Sequence, residues 1–195
     1  MKKFALLLIS IGFVFLCFGG YQWYTTEKQQ EASLTKAKDL VKQPNSSTTS
    51  LEKDNIKKAF TPAKGETAGI LHIPKLEADL PIVEGTDEDE LEKGVGHYEG
   101  TAYPKQKDQI VLSGHRDTVF RRMGELTVGD HLTIQVPYGD FTYRITDTKV
   151  VDADNRSIIM STAPKEVLTL TTCYPFSYVG NAPDRYIITA IPINN

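Results

Sequence analysis

Cysteine is scarce in this chain of 195 residues, which contains only Cys17 and Cys173. Cys17 lies in an uncharged apolar segment near the N-terminus, whereas Cys173 ends a short β-branched segment late in the chain. A disulfide between them would have to join the apolar N-terminal segment to a distant folded domain, which the two positions do not favour. We therefore predict that Cys173 is a free thiol.

The chain also lacks an excess of positive charge. Its 25 Asp and Glu residues outnumber its 22 Lys and Arg residues, and the net charge is −3 with a pI near 5.8. A protein that binds nucleic acid needs a concentrated basic surface, so we predict no nucleic-acid partner. A composition with 40% hydrophobic and 24% charged residues is that of an ordinary globular protein.

An uncharged run from Phe4 to Gly20 follows Lys2 and Lys3. With the aromatic residues at 21, 23 and 24, it approaches the roughly 20 residues that span a bilayer, and the preceding lysines favour a cytoplasmic N-terminus. Residues 1–24 are therefore predicted to form a cytoplasmic tip and a single transmembrane signal-anchor. The alternative is a cleaved secretory signal. Both interpretations place the rest of the chain outside the cytoplasmic membrane.

Two further segments follow the apolar run. Residues 25–60 are polar and are predicted to form a stalk, in which residues 44–50 have the Pro, Asn, Ser and Thr composition of a flexible linker. Residues 61–195 are predicted to form the folded domain, because short β-branched segments alternate there with Gly and Pro. Seven or eight strands with little helix indicate a mostly β antiparallel barrel or sandwich. The predicted strands cover residues 69–74, 78–83, 109–112, 131–136, 141–145, 149–152, 167–173 and 185–191.

Five carboxylates occur within six positions of the segment from Thr86 to Glu92. Acidic side chains stabilise the first turn of a helix and Thr86 can cap it, so the segment predicts a helix start. The alternative is a calcium site, since carboxylate oxygens are the ligands that this ion prefers. The spacing does not match an EF-hand loop.

Cys173 and Arg185 stand on either side of a loop that contains Pro175, Gly180 and Pro183. If the flanking strands pair in the antiparallel direction, they lie about 4.8 Å apart, and a thiol and a guanidinium are neighbours at one end of the sheet. Strand alternation places Cys173 on the face opposite Leu168 and Leu170. Two alternatives remain open: the cysteine is a small buried hydrophobic residue, or the arginine forms a salt bridge with a nearby carboxylate.

Four histidines are available, and His115 differs from the others. His72 and His131 lie within strand patterns, and His97 follows two glycines in a predicted loop. His115 leaves a predicted strand directly after Gly114, where a loop can direct its side chain towards a groove. A free extracellular cysteine and a loop histidine are the minimal pair for thiol catalysis. The rival use of the same groups is metal binding, for which no pair of ligands has a supporting spacing.

Three segments of the chain strongly resemble the catalytic segments of sortases, the membrane-anchored cysteine transpeptidases of Gram-positive bacteria. They are Leu112–Thr118, Thr169–Pro175 and Asp184–Tyr186, in that order. The resemblance runs from about residue 68 to residue 192, and it implies a closed eight-stranded β-barrel with short helices. The run from Cys173 to Tyr186 looks most like the class D sortases of bacilli and clostridia.

The resemblance implies a role for each site residue. Cys173 is the expected nucleophile, His115 the acid and base, and Arg185 the electrostatic partner. Thr172, Tyr174 and Ala102 are expected to contact the substrate, and neither a cofactor nor a metal is implied.

The expected reaction follows from the same resemblance. Its substrate is a secreted protein with a C-terminal Leu-Pro-x-Thr-Gly or Leu-Pro-x-Thr-Ala sorting signal, which is cleaved after Thr. The acceptor is an amine of the cell-wall peptidoglycan precursor.

Other cell-wall cysteine enzymes fit the sequence less well. An L,D-transpeptidase would have its histidine and cysteine close together, and a papain-like endopeptidase would have the cysteine first. Here His115 comes first and is far from Cys173 in sequence. A non-catalytic anchored binding domain, or a pilus-assembly component with the same fold, remains as the alternative from a different functional class.

Overall fold

The computed structural model describes residues 2–42, 60–178 and 180–193. Eight strands and two α-helices make up most of these ranges, with short 3-10 turns at Pro74–Leu76, Met123–Glu125 and Arg156–Ile158. The elements are α1 (Lys2–Lys42), β1 (Thr67–Ile73), β2 (Ala78–Glu84), α2 (Glu88–Leu91), β3 (Val95–His97), β4 (Gln109–Ser113), β5 (His131–Val136), β6 (Gly139–Asp152), β7 (Val167–Tyr174) and β8 (Asp184–Pro192).

The strands form a closed barrel in the order β1-β2-β3-β4-β7-β8-β6-β5, and β5 returns to pair with β1. The barrel is thus confirmed and the alternative of a sandwich is wrong. Two of the pairs, β2 with β3 and β4 with β7, are parallel, so the expectation of a wholly antiparallel sheet is also wrong. Closure gives each of the eight described strands a partner on both sides, so none of them forms an open edge of the sheet.

The strand prediction is wrong in two places. Residues 141–145 and 149–152 belong to the single long strand β6, which pairs with β5 along its first half and with β8 along most of its length. The strand β3 was predicted to be a loop, because Gly94 and Gly96 flank Val95. These glycines allow a close approach to β2: a Cβ at Gly94 or Gly96 would lie 2.4 Å from the carbonyl oxygen of Pro81 or Gly85, respectively.

The core fills the barrel with branched aliphatic and aromatic side chains. The alternation is clear in β5, where Leu132, Ile134 and Val136 are buried and the residues between them are partly exposed. Fully burying one such side chain stabilises the fold by roughly 1.5–3 kcal/mol. Other core members are Leu71, Ile73, Ile82, Val95, Ile110, Leu112, Phe120, Met123, Tyr143, Ile145, Leu168, Leu170 and Ile188.

Helix α1 is continuous from the apolar segment into the polar one. Its later residues pack against β1 and β2, where Ser33 and Ala37 are buried. The predicted linker, residues 44–50, lies outside the described residues. Among the residues that are described, no helix combines the length and the apolar character that a membrane span requires. The transmembrane helix predicted in residues 1–24 is therefore without support in the structure.

The acidic segment forms the short helix α2, as predicted, with Asp87 rather than Thr86 at its N-cap. Asp87 pairs with Lys64, and Glu90 is buried beneath the helix. Within the described ranges, no group of three or more His, Cys, Asp or Glu side chains is arranged to hold a metal ion.

Two isoleucines of β8 provide a matched test of the core. Ile188 is fully buried, whereas Ile191 on the same strand is 39% exposed. We expect Ile188→Ala to lower the free energy of unfolding by about 2–5 kcal/mol, because it removes buried surface and leaves a cavity. Ile191→Ala should lower it by less than about 1 kcal/mol. Urea unfolding monitored by circular dichroism measures both, and equal losses would contradict this account of the core.

Candidate active site

The candidate nucleophile Cys173 lies directly beside Arg185. Strands β7 and β8 are antiparallel, and their register pairs Cys173 with Arg185, which confirms the predicted adjacency. Leu168, Leu170 and Thr172 of β7 are buried, while Cys173 is partly exposed. The thiol is therefore on the opposite face of the strand from the core leucines, as strand alternation predicts.

His115 reaches the same end of the sheet through the parallel pairing of β4 with β7. Gln109 pairs with Val167 and Ser113 with Thr171. Beyond the paired strands, the Gly114 amide donates to the Thr171 carbonyl at 3.2 Å. The Thr172 hydroxyl donates to the Gly114 carbonyl at 2.6 Å, across an offset of 58 positions. His115 and Cys173 are separated by this same offset of 58 positions. The register of β4 and β7 therefore brings the two residues to the same position along the strand direction.

Gly114 allows the chain to turn sharply where it leaves β4. A Cβ at this position would lie 2.6 Å from the Phe120 ring, so only glycine leaves room for that ring. The Phe120 amide in turn donates to the His115 carbonyl at 3.0 Å. The turn is thus closed by a buried aromatic side chain and by a backbone bond to the histidine itself.

A groove of about 310 Å³ contains all three predicted catalytic side chains. His115, Cys173 and Arg185 line it, together with Thr172. Thr86, Leu91 and Tyr98 line it from the segments around α2 and β3, and Ala153, Asn155, Arg156, Ile158 and Ile159 line it from the segment between β6 and β7. The three strand ends therefore open into a cleft that has apolar side chains on both sides and is accessible from solvent.

The Arg185 guanidinium keeps its charge available to the groove. Its Nη1 donates to the carbonyls of Asp184 at 3.0 Å and Ala182 at 3.3 Å. No carboxylate of the described residues forms an ion pair with it, so the salt bridge that the sequence left open is not found. These carbonyls hold the guanidinium in place without neutralising it.

Comparisons with known proteins identify the family of this barrel. The Sortase domain family matches residues 71–193. The chain belongs to the sortase family. This is a family of cysteine transpeptidases.

Individual relatives support the class D assignment. The chain is 53% identical over 192 residues to Sortase D of Bacillus subtilis strain 168, covering 96% of this chain and 97% of that protein. It is 31% identical over 192 residues to sortase SrtE1 of Streptomyces coelicolor, covering 87% of this chain and 51% of that one. The solved Clostridium perfringens Sortase D5 transpeptidase superposes with a TM-score of 0.71 at 25% identity, covering 86% of this chain and 99% of that structure.

Two of the expected substrate-contacting residues of this sortase are not among the side chains that line the groove. The Ala102 side chain is buried, and its carbonyl bonds to His97. Tyr174 packs among aromatic rings, with centroids 5.6 Å from Phe176 and 6.1 Å from Tyr186. Thr172 does line the groove, but its hydroxyl is already bonded to Gly114.

A buried polar network that no sequence pattern indicated lies next to Tyr98 of the groove. His97 shares a 2.7 Å hydrogen bond with Glu84 through Nδ1 and donates to the Ala102 carbonyl at 2.9 Å through Nε2. The Tyr103 hydroxyl donates to the same Glu84 carboxyl at 2.5 Å. Burial, and then the bond to Glu84, raises the pKa of Tyr103, which keeps it a donor. This network fixes β3 and therefore the neighbouring Tyr98.

The loop between Cys173 and Arg185 is tied to the histidine segment. Arg116 donates to the Gly180 carbonyl at 2.8 Å, and its guanidinium carbon lies 5.9 Å from the centroid of the Tyr178 ring. The pattern of Pro and Gly predicted this loop but gave no signal for its partner. Arg116 thus connects the segment after His115 to the loop after Cys173.

We expect the Thr172 hydroxyl to align His115 with Cys173. Thr172→Val keeps the shape of the side chain but cannot donate to Gly114, so the free energy of unfolding should fall by about 1–3 kcal/mol. Misplacement of His115 should lower the transpeptidase kcat by about tenfold. Thr172→Ser retains a hydroxyl and should stay close to wild type in both measurements. Equal behaviour of the two variants would show that the hydroxyl has no such role.

Proposed function

We propose that this sortase cleaves a C-terminal sorting signal of the Leu-Pro-x-Thr-Gly or Leu-Pro-x-Thr-Ala type after Thr, through a thioacyl intermediate on Cys173, and transfers the protein to an amine of the cell-wall precursor. The main support is the convergence of His115, Cys173 and Arg185 in one open groove. Cys173 and Arg185 are held by the register of β7 with β8, and His115 lies two residues beyond the end of β4, which pairs with β7.

The first step is attack of the Cys173 sulfur on the carbonyl carbon of the substrate Thr. Only the thiolate attacks well, and neighbouring positive charge favours that form. Arg185 is the neighbour across the strand pair, and a protonated His115 would supply a second positive charge. The new carbon–sulfur bond converts the carbonyl into a tetrahedral oxyanion, to which the guanidinium can donate. One such donor is typically worth about 3–4 kcal/mol.

His115 completes the first half of the reaction and begins the second. As the carbon–nitrogen bond of the peptide breaks, the imidazolium protonates the departing amine. The neutral imidazole then removes a proton from the incoming amine as it attacks the thioester. When the carbon–sulfur bond breaks, the thiolate of Cys173 is restored and a new amide links the two products.

The shape of the groove suits an extended peptide. Its walls carry Leu91 and Tyr98 on one side and Ile158 and Ile159 on the other, so apolar side chains of a sorting signal can be buried there. Cys173 is partly exposed at the base, where a carbonyl carbon of that peptide can reach it. The proposed chemistry needs no cofactor, because side chains supply the nucleophile, the proton transfer and the positive charge.

A panel of fluorogenic Leu-Pro-x-Thr-Gly and Leu-Pro-x-Thr-Ala peptides tests this function on the full chain. We expect the wild type to cleave after Thr, and hydroxylamine to capture the acyl group as a hydroxamate. Cys173→Ala should do neither, because it removes the nucleophile. Cys17→Ala is the matched control, since it removes the other cysteine and should leave cleavage unchanged. If Cys173→Ala and wild type give the same result with every peptide, the proposed cleavage through Cys173 is wrong.

We further propose that the first part of α1 holds the barrel at the outer face of the cytoplasmic membrane. Large apolar side chains of this part are exposed, among them Phe13, Phe15 and Leu16. Aromatic residues with polar edges follow at Tyr21 and Trp23, a composition suited to a membrane interface. Such a location would place the groove near secreted proteins and their cell-wall acceptors.

Alkaline carbonate extraction of isolated membranes distinguishes an embedded helix from peripheral association. We expect the wild-type chain to stay in the membrane pellet. Leu16→Asp should release it, because a carboxylate in the centre of a spanning helix costs roughly 2.5–3.5 kcal/mol. Gln30→Asp places the same charge in the polar part of α1 and should have no effect. A wild-type chain found in the soluble fraction would contradict the anchor.

A further inference from the structure

Two adjacent side chains at the start of β4 hold the segment between β6 and β7. The side-chain amide of Gln109 forms hydrogen bonds with the backbone of this segment on both sides of Ile159. Its Nε2 donates to the Ile158 carbonyl at 2.7 Å, and its Oε1 accepts from the Met160 amide at 2.9 Å. The same Nε2 also lies 3.0 Å from the Thr169 hydroxyl of β7. One buried side chain thus fixes the segment to the strand that carries Cys173.

Asp108 binds the next part of the same segment. Its Oδ1 accepts from the amides of Thr162 at 2.6 Å and Ala163 at 3.1 Å, and its Oδ2 accepts from the Ser161 hydroxyl at 3.0 Å. The backbone amides of Gln109 and Thr162 donate hydrogen bonds to this carboxyl and hold its pKa below the usual value. We call Asp108 and Gln109 together the clasp, and residues 158–163 the clasped segment.

The clasped segment forms one wall of the active-site groove. Ile158 and Ile159 line the groove that contains Cys173. Ile159 and Met160 also line a neighbouring pocket of about 220 Å³, and Tyr98 is common to both cavities. The clasp forms hydrogen bonds with backbone groups of this wall that would otherwise bond to water. The isoleucine side chains remain facing the groove.

Gln109 of the clasp and the Cys173 thiol lie near opposite ends of the paired strands β4 and β7. Gln109 pairs with Val167 at the beginning of β7, whereas Cys173 lies near its end. Six residues of strand span about 20 Å, so a change at Gln109 should leave the thiol and its strand partners in place. Its influence on the reaction should instead pass through the wall.

We propose that Asp108 and Gln109 are positioning residues, which fix the clasped segment so that the groove binds the acyl-donor peptide tightly. The inference rests on the proposed peptide cleavage. Loss of the clasp leaves the wall free to move, so the wall must be ordered again at every binding event. A residue with this role affects binding of the ground state and the transition state alike, which raises KM and leaves kcat unchanged.

Four variants and one control test the clasp in the full chain. Gln109→Met has nearly the same size but makes none of the three bonds, and Gln109→Glu keeps the acceptor for Met160 but cannot donate to the Ile158 carbonyl. Asp108→Ala removes both acceptor oxygens, and Asp108→Asn keeps one of them. The control is Gln135→Met in β5, whose side chain makes no hydrogen bond within the described residues. Asp108 is only half-buried, so its variants test the proposal even if a substitution at Gln109 prevents folding.

Two readouts separate positioning from a general loss of structure. Amide hydrogen exchange should show faster exchange at Met160 in Gln109→Met, and at Thr162 and Ala163 in Asp108→Ala. Steady-state cleavage of a peptide that the wild type accepts should show a KM increase of about fivefold to tenfold, with kcat within about twofold of wild type. Asp108→Asn should give a smaller KM increase, whereas Gln109→Glu should not, because its buried carboxylate would face the Ile158 carbonyl oxygen. The rate at which iodoacetamide alkylates Cys173 should not change.

The outcomes are distinct. An unchanged KM in variants whose segment amides exchange faster would overturn the positioning role. A fall in kcat together with a changed alkylation rate would also overturn it, because the clasp would then act on the thiol itself. If the wild type cleaves no peptide of the panel, the proposed function fails instead, and this result is read before any variant is compared.

Discussion

The parallel pairing of β4 with β7 is the constraint on which the site depends. It fixes an offset of 58 positions between neighbouring residues, which brings His115 level with Cys173. The antiparallel pairing of β7 with β8 then places Arg185 on the other side of the same thiol. A slip of one residue in either pair would turn the side chains of one strand to the opposite face. The buried leucines of β7 oppose such a slip, because it would move Leu168 and Leu170 out of the core.

The residues of the site are held in two different ways. The thiol and guanidinium are positioned by strand register, and the imidazole by the turn that follows β4. The walls of the groove belong to loops, and individual side chains fix those loops to the barrel. Gln109 and Asp108 hold the wall that contains Ile158 and Ile159. The His97 network holds the side that contains Tyr98, and Arg116 holds the loop after Cys173.

Features that follow from a local sequence pattern could be predicted from the sequence alone. The β-branched run of β7, the loop with two prolines and β8 together predicted that Cys173 would neighbour Arg185. Strand β3 was missed because its glycines serve a close contact with β2, a reason that only the three-dimensional packing shows. The division of β6 into two strands was also wrong, because the irregularity between Ile145 and Asp147 interrupts the pattern without ending the strand. Hydrogen bonds from the Gln109 side chain to the distant segment after β6 have no local signature at all.

Under the proposed function, this arrangement separates the chemistry of the reaction from recognition of the peptide. We expect substitutions in the strand ends to change the distances between thiol, imidazole and guanidinium, and therefore to affect every substrate in a similar way. Substitutions in the clasped segment change the surface that a peptide contacts, but they leave the register of β7 intact, because that register is maintained by the barrel core. Loops on a rigid scaffold can therefore vary without loss of the reaction. In a family of transpeptidases that share this barrel, differences in signal preference are expected mainly in the walls and in the side chains that hold them.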